Sequence, residues 1–574
     1  MLAKILLPAL AAVVALSPAA PAPAKPPEAP DCRTVRAADG AEPACNPHLA
    51  ASPWPGNHRN PYAQASSPFP GPTGPAEHVD VDHDGFASAP IVLSFSPRYR
   101  RGGRVIWAST VGLTNEILKI DPKTVTVIDK SVPQLEEGAG PGTNSVSGAY
   151  NLVDVDNRLH VGQAKALEVY GDAVPGRRDS AIALLRRFEL PAKALCGDDQ
   201  LVGITMTYDG HIAFATENGV VGVVPRQPGR MKAKRLRTFS LNGKDCAGGP
   251  EGETETVSNS IAADENGGIY VVTSHAMYRI DWNGKRLSRG WRSSYAGAGG
   301  SGGGRLGAGS GSTPTLMGTA PDDDRFVVLT DGQELMHLVL MWRDEVPAGW
   351  RPIRKGADRR IACEIPVTFG DESADRSLSE QSVLVRGNSA VVVNNLQRMD
   401  PVVSQLPPRV APYSQLVSGL PGNAPTGIER FDWNPRTRTC DVAWSNPDVA
   451  IPNGIPTMSA ATNMIYGIGS RDGTWTLEGL DWDTGEEVLT VETTAFPTSN
   501  SFYAATTLGP GATVWTGNFG GVTRFRPCDP EREAGCGRRP DPVEAVVGNV
   551  PTDPEDALRD TVGLPNDGAD TDGG

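Results

Sequence analysis

Positive charge is in short supply: 53 Lys and Arg stand against 67 Asp and Glu, for a net charge of -14. Binding to nucleic-acid phosphates needs a basic surface, so no nucleic-acid partner is expected. Long apolar runs are missing as well. The stretch from Ile5 to Leu16 is too short to span a bilayer, and nothing later approaches that length. Lys4 precedes it and the small residues Ala22-Pro-Ala24 follow, the layout of a secretory signal peptide, expected over 1–24. With no cysteine directly behind that stretch, no lipid or membrane anchor is expected, and the mature chain reads as a secreted monomer. Also absent are a Gly-x-Ser-x-Gly elbow, a His-Glu-x-x-His helix and any Cys-x-x-Cys pair, which removes the signatures of serine hydrolases, zinc proteases and zinc sites.

The chain has 8 cysteines, an even number, which in an exported protein reads as a disulfide set. Sequential pairing is expected: Cys32 with Cys45, Cys196 with Cys246, Cys363 with Cys440, and Cys528 with Cys536.

What the chain does have is repetition. One unit recurs between Gly102 and Pro527, most legibly as Ser258-Asn-Ser-Ile-Ala-Ala-Asp-Glu-Asn-Gly-Gly-Ile-Tyr-Val-Val-Thr-Ser, then Met277-Tyr-Arg-Ile-Asp-Trp-Asn-Gly-Lys, then Leu287-Ser-Arg-Gly-Trp. The apolar runs are short, β-branched or aromatic, and bounded by Asp, Asn or Gly, as strands joined by tight turns are. The second strand of this unit returns at Val105, Arg158, His211, Phe326, Ala390, Ile465 and Val514. The spacing of roughly 50 to 75 residues is that of a propeller blade with a generous loop. A lone four-stranded sheet cannot bury both faces, and radial closure also protects the edges, so the expected fold is an all-β, eight-bladed β-propeller, with seven blades the alternative.

Several segments depart from the repeat. Residues 25–74 are Pro-rich and read as an extended leader that wraps the propeller of 75–527. The sixth unit carries an insertion from Leu396 to Thr426, of a length that lids and partner contacts often have. A Gly-rich run from Ala296 lacks the Gly-Lys-Ser/Thr ending of a phosphate loop and reads as a mobile loop. The last unit stops at Pro527 without a fourth strand and must borrow one from the segment before Gly102. From 528 to 574 the chain becomes an acidic tail too poor in apolar residues to order itself.

In a propeller, the starts of the innermost strands and the loops between second and third strands share one face. Polar side chains recur there. Asn144, Gln200, Asn259, Thr313, Gln381, Asn453 and Asn500 stand at inner-strand starts, and Asn394 and Asn518 at second-strand ends. They outline a polar funnel for a small polar molecule or carbohydrate, although such residues also satisfy turn backbone at any strand end. Glu217, Asp331 and Glu380 are the acids of this rim and His275 its imidazole, the candidates for acid–base chemistry. Asp80-Val-Asp82-His-Asp84-Gly85 has the alternating carboxylates and glycine of a short calcium loop, or else of an acidic turn, while Ile91 stands where an EF-hand needs Glu.

Asp281-Trp-Asn-Gly-Lys with Trp291, Asp432-Trp-Asn-Pro-Arg with Trp444, and Leu480-Asp-Trp-Asp-Thr-Gly-Glu486 resemble the Asp-x-x-Thr-Gly-x-x-x-Trp docking repeat of quinoprotein alcohol dehydrogenase-like propellers. That resemblance covers most of Gly102 to Pro527 and implies the propeller architecture. Family members that use pyrroloquinoline quinone often carry adjacent cysteines, which this chain lacks, so that cofactor is not expected. Ile451-Pro-Asn-Gly-Ile455 and Asn259-Ser-Ile-Ala-Ala-Asp are similar to lactonase and strictosidine-synthase-like propellers, usually six-bladed, which would make Asn453 and Asn259 metal or ligand contacts. Function is thus expected to be ligand binding in the funnel without chemistry. The alternatives are a calcium- or quinone-dependent enzyme (a lactonase-type hydrolase or an alcohol dehydrogenase) and a protein-interaction scaffold.

Overall fold

In the computed structural model, the described residues are 40–540 apart from 86–87, 113–114, 133–147, 251, 298–307, 320–321, 400–410 and 496–498. Local chemistry sets the strands. In the clearest unit the Asp264 carboxylate accepts the backbone N–H groups of Asn266 and Gly268. That closes the turn between Ala262–Ala263 and Gly268–Val272. Gly267 takes φ +86 there, where a Cβ would stand 2.3 Å from the Trp282 carbonyl. Ala276–Trp282 and Leu287–Ser294 then add in sequence to complete a four-stranded antiparallel sheet.

Eight such sheets form the ring, an eight-bladed β-propeller. The innermost strands of blades 1 to 8 are Ser88–Phe95, Asn151–Val153, Leu201–Met206, Ala262–Ala263, Thr315–Met317, Leu384–Arg386, Thr457–Ser459 and Thr507–Gly509. Tryptophans dock blade 4 on blade 5 and blade 6 on blade 7. Trp291 of blade 4 donates to the Arg343 carbonyl of blade 5 at 2.9 Å, and Trp444 of blade 6 to the Trp482 carbonyl of blade 7 at 3.0 Å. The Trp444 ring lies flat on Gly485, where a Cβ would come within 2.4 Å of it. Cys363–Cys440 joins the outer strands of blades 5 and 6, Cys196–Cys246 brackets blade 3, and Cys528–Cys536 follows the last strand. Cys45 is disulfide-bonded, and its expected partner Cys32 lies outside the described residues. No helix among the described residues is long and apolar enough to cross a membrane.

Ring closure corrects the reading of the acidic motif. Residues Val79–Gly85 are neither a calcium loop nor a turn but the outer strand of blade 8, antiparallel to Gly521–Pro527. Asp80, Asp82 and Asp84 share one face of it, since side chains alternate along a strand. Register puts Asp80 opposite Arg526 and Asp82 opposite Arg524. Asp80 also receives Arg538 at 2.8 Å, Asp82 pairs with Arg524 at 2.6 Å, and Asp84 accepts the Val127 N–H at 3.0 Å.

The leader is placed differently from expectation: it runs inside the ring. Inner strands converge on the axis with backbone donors and acceptors still unpaired on their free edge. The leader pairs them in turn. Phe95 donates to Trp54 O, Val153 to Pro55 O, Ala263 to Pro61 O, Leu316 to Tyr62 O, Val385 to Gln64 O and Met458 to Ala65 O, all at 2.7–3.0 Å. The Asn46 side chain reaches Met206 O of blade 3 at 2.9 Å, and Ser66–Ser67 pairs in parallel with blade 7. Proline suits this belt, because it accepts through its carbonyl and has no N–H to leave unpaired. Trp54 and Tyr62 have no exposed surface. Trp54→Ala should therefore cost about 3–5 kcal/mol of stability in denaturant unfolding, where a residue of an external wrap would cost about 0.5 kcal/mol or less.

Candidate functional site

With the leader filling the end where the inner strands finish, the opposite end of the axis is where the recurring polar residues gather. Of the expected ligand contacts, Asn144 lies outside the described residues. Asn453 and Asn500 are fully buried and bonded to each other at 2.9 Å. Both donate to the Gln415 carbonyl, at 3.2 and 2.9 Å, and Asn453 also donates to Ser418 Oγ. The described residues 411–426 of the insertion thus form a lid latched over blades 7 and 8. Ser470 of blade 7 holds it again through Gly419 O at 2.8 Å. Asn394 ties the two ends of the lid by donating to Thr426 O and accepting from Leu396 N. Gln381 donates to Asn453 O at 2.9 Å, Asn259 accepts from the Tyr150 hydroxyl, and Asn518 donates to Thr523 Oγ1 within its own blade.

The acid–base candidates do not converge. Glu217 accepts from Gln200 on the exposed rim of blade 3, and His275 pairs with Glu253 at 2.9 Å on blade 4. Asp331 is buried in the turn of blade 5, where it accepts the N–H groups of Gln333 and His337 and pairs with the His337 ring at 3.1 Å. That pair holds the His337 pKa above its ordinary value. Only Glu380 reaches the axial cluster. It is buried, and its charge adds to burial in raising the pKa of Tyr503 well above the usual phenol value.

Several members of this cluster went unrecognised in the sequence. Tyr150 directly precedes an inner strand, and Ser382 and Tyr503 stand in the short entries to theirs, so their position in the repeat carried a usable signal. Gln415 and His58 come from the insertion and the leader, which have no counterpart in other blades and gave none. Ser382 Oγ bonds the Thr313 N–H and His58 Nε2, both at 3.1 Å, which ties blades 5 and 6 to the leader. Tyr503 N donates to the same Asn453 carbonyl that Gln381 reaches. Within this packed cluster Gln381 Oε1, both side-chain polar atoms of Gln415, Thr313 Oγ1, the Tyr503 hydroxyl and His58 Nδ1 are buried without a hydrogen-bond partner.

The donor set does not fit an acidic quinone. Around the axis the described side chains offer the Glu380 carboxylate with neutral amides and hydroxyls, and burial lowers the His58 pKa to about 4, which keeps it uncharged near neutrality. The cysteines that might flank such a cofactor are tied up in the disulfides already described. Asp80, Asp82 and Asp84 fit calcium no better, since guanidinium groups already occupy the first two.

The fold, an eight-bladed propeller, resembles that of quinohemoprotein alcohol dehydrogenases, as the tryptophan-docking motifs implied. It is similar to such an enzyme from Pseudomonas putida HK5 with a TM-score of 0.50 and 14% identity, covering 83% of this chain and 80% of that one. Against a quinohemoprotein alcohol dehydrogenase from Comamonas testosteroni the TM-score is 0.48 at 12% identity, with coverage of 82% and 80%. At these identities the likeness is one of fold. No family model matches the chain. It is 47% identical over 485 residues to an uncharacterized protein of Archaeoglobus fulgidus, covering 84% of this chain and 89% of that protein, and it belongs to the same family.

Two predictions follow from the latch and the belt. Asn453→Ala removes three donor contacts to the lid and blade 8, so limited proteolysis within 396–426 should quicken by about tenfold while the circular dichroism of the propeller is kept. His58, depressed to about 4 in the folded chain against an ordinary 6.5, binds its proton more readily when unfolded. Its contribution is intact above about pH 6.5 and is lost as pH falls toward 4, by on the order of 3 kcal/mol. His58→Gln should flatten that part of the stability–pH curve.

Proposed function

We propose that this chain is an exported binding protein that holds a small polar ligand at the axis beneath the latched insertion, without chemistry of its own. One observation carries the reading: the unmet hydrogen-bonding atoms of Gln381, Gln415, Thr313, Tyr503 and His58. Buried polar groups are nearly always paired, and each one left without a partner costs about 1–3 kcal/mol, so a set of them around one axis calls for a guest. The separation of Glu217, His275 and Asp331 from Glu380 favours binding over acid–base catalysis. Export is supported by the three disulfides, which suit an oxidising compartment, together with the signal-like start of the sequence.

Thermal-shift and calorimetric titration of the purified chain against small neutral polyols, amines and carboxylates tests this. The expected result is a ligand that raises the melting temperature and binds at least about tenfold more weakly to Tyr503→Phe and Gln381→Leu. A panel that leaves the melting temperature unmoved, with both variants as stable as the parent, overturns it. In that case the unmet groups have no guest.

A further inference from the structure

The axial cluster is built in two unlike halves. On one side stand the amides, hydroxyls and carboxylate of blades 5 and 6 with Gln415 of the lid above them. On the other, blade 8 presents an aromatic step. The Phe502 ring lies 5.9 Å from Tyr503 and 5.9 Å from Phe519, centroid to centroid, edge to face at 66° and 67°. Phe519 is 38% exposed, Phe502 and Tyr503 are half-buried, and Phe502 packs against the buried cluster of Ala89, Ile91, Val92 and Ala149, as Tyr150 does. Backbone bonds make these rings one unit, since Phe519 N donates to Asn500 O while the Asn500 side chain accepts the Phe502 N–H.

The step is held against backbone preference. Phe502 and Tyr503 sit at φ +43 and +65, the left-handed region that bulky side chains avoid at a cost of about 1–3 kcal/mol each. The bonds from Asn500, and from Tyr503 N to Asn453 O, keep them there. The result turns the Tyr503 hydroxyl inward to the polar half while its ring stays with the aromatic one.

From this geometry we infer that the ligand is an uncharged polyhydroxylated ring, a sugar-class molecule, with its C–H face on Phe519, its rim against the edges of Phe502 and Tyr503, and its hydroxyls on Gln381, Gln415 and Thr313. The inference rests on the binding reading above and names its ligand. The unmet atoms include pure acceptors (the amide oxygens of Gln381 and Gln415), a pure donor (Gln415 Nε2) and groups that do both (Thr313 and Tyr503). A hydroxyl both donates and accepts, so a polyol can satisfy all of them. A carboxylate could not donate to the amide oxygens and would meet the Glu380 charge, and an ammonium could not accept from Gln415. Stacking of apolar faces on aromatic rings supplies the remaining affinity.

The test is calorimetric titration of the full chain with glucose, galactose, mannose and their disaccharides, beside glucuronate and glucosamine as charged counterparts. At least one neutral sugar is expected to bind, at least about tenfold more tightly than either charged counterpart, with Phe519→Ala weakening it about tenfold and Tyr503→Phe likewise. Phe519 is exposed enough that its removal leaves the fold intact, which circular dichroism checks. Equal or tighter binding of glucuronate or glucosamine, lost in Tyr503→Phe, overturns the sugar inference and leaves the axial site standing. Sugar binding that neither variant changes places the ligand elsewhere and overturns both. Silence of this panel overturns the sugar inference alone, and the wider panel of amines and carboxylates then decides the site.

Discussion

The backbone pairing of the leader with the inner strands is the contact on which the rest of the structure depends. Eight blades converge on one axis, and each inner strand arrives with one edge unpaired. In a wide ring those edges would have to be hydrated or bridged. Here one stretch of chain from Asn46 to Ser67 visits blades 1 to 7, through its backbone at all but blade 3, which the Asn46 side chain reaches, and the chain then supplies Val79–Gly85 as the missing strand of blade 8. A single continuous segment therefore lines the channel and closes the ring.

That arrangement fixes where function can reside. Among the described residues, the leader fills one end of the axis, and residues 411–426 of the insertion and the aromatic step of blade 8 border the polar cluster at the other. Asn453 is the common node. Its side chain holds Gln415, Ser418 and Asn500, and its carbonyl holds Gln381 and Tyr503. The bonds from Gln415 and Ser418 therefore end on the same residue that positions two of the unmet groups.

How much of this could be read from the residues depends on how local its cause is. The second strands, such as Phe326–Thr330 and His211–Thr216, were legible because β-branched runs between Asp and Gly dictate strands by themselves. The recurring rim amides were legible for the same reason: they keep a fixed place in the repeat. Val79–Gly85 was not, since three alternating acids look like a turn until Arg524, Arg526 and Arg538, 442 to 458 residues away, neutralise the first two across the closing sheet. The leader offered no periodicity, because its bonds run to seven different strands rather than to one partner. Gln415 and His58 were invisible on the same ground.

Backbone conformation independently marks the axis. Among the described residues, consecutive non-glycine residues in the left-handed region occur at His58–Arg59 and at Phe502–Tyr503, one pair in the leader and one in blade 8. Isolated residues of this kind, such as Asn157 or Asn463, serve ordinary turns, where Asn adopts the conformation at little cost. A paired, bulky run has no such excuse. It persists where the surroundings over-determine it, and here both runs are pinned by axial residues, His58 through Ser382 and Phe502 through Asn500. Both runs also carry an unmet buried polar atom, His58 Nδ1 and the Tyr503 hydroxyl. Strain and unsatisfied hydrogen bonding each oppose folding. Their coincidence in the leader and in blade 8 supports the proposed axial site over a core packed for stability alone.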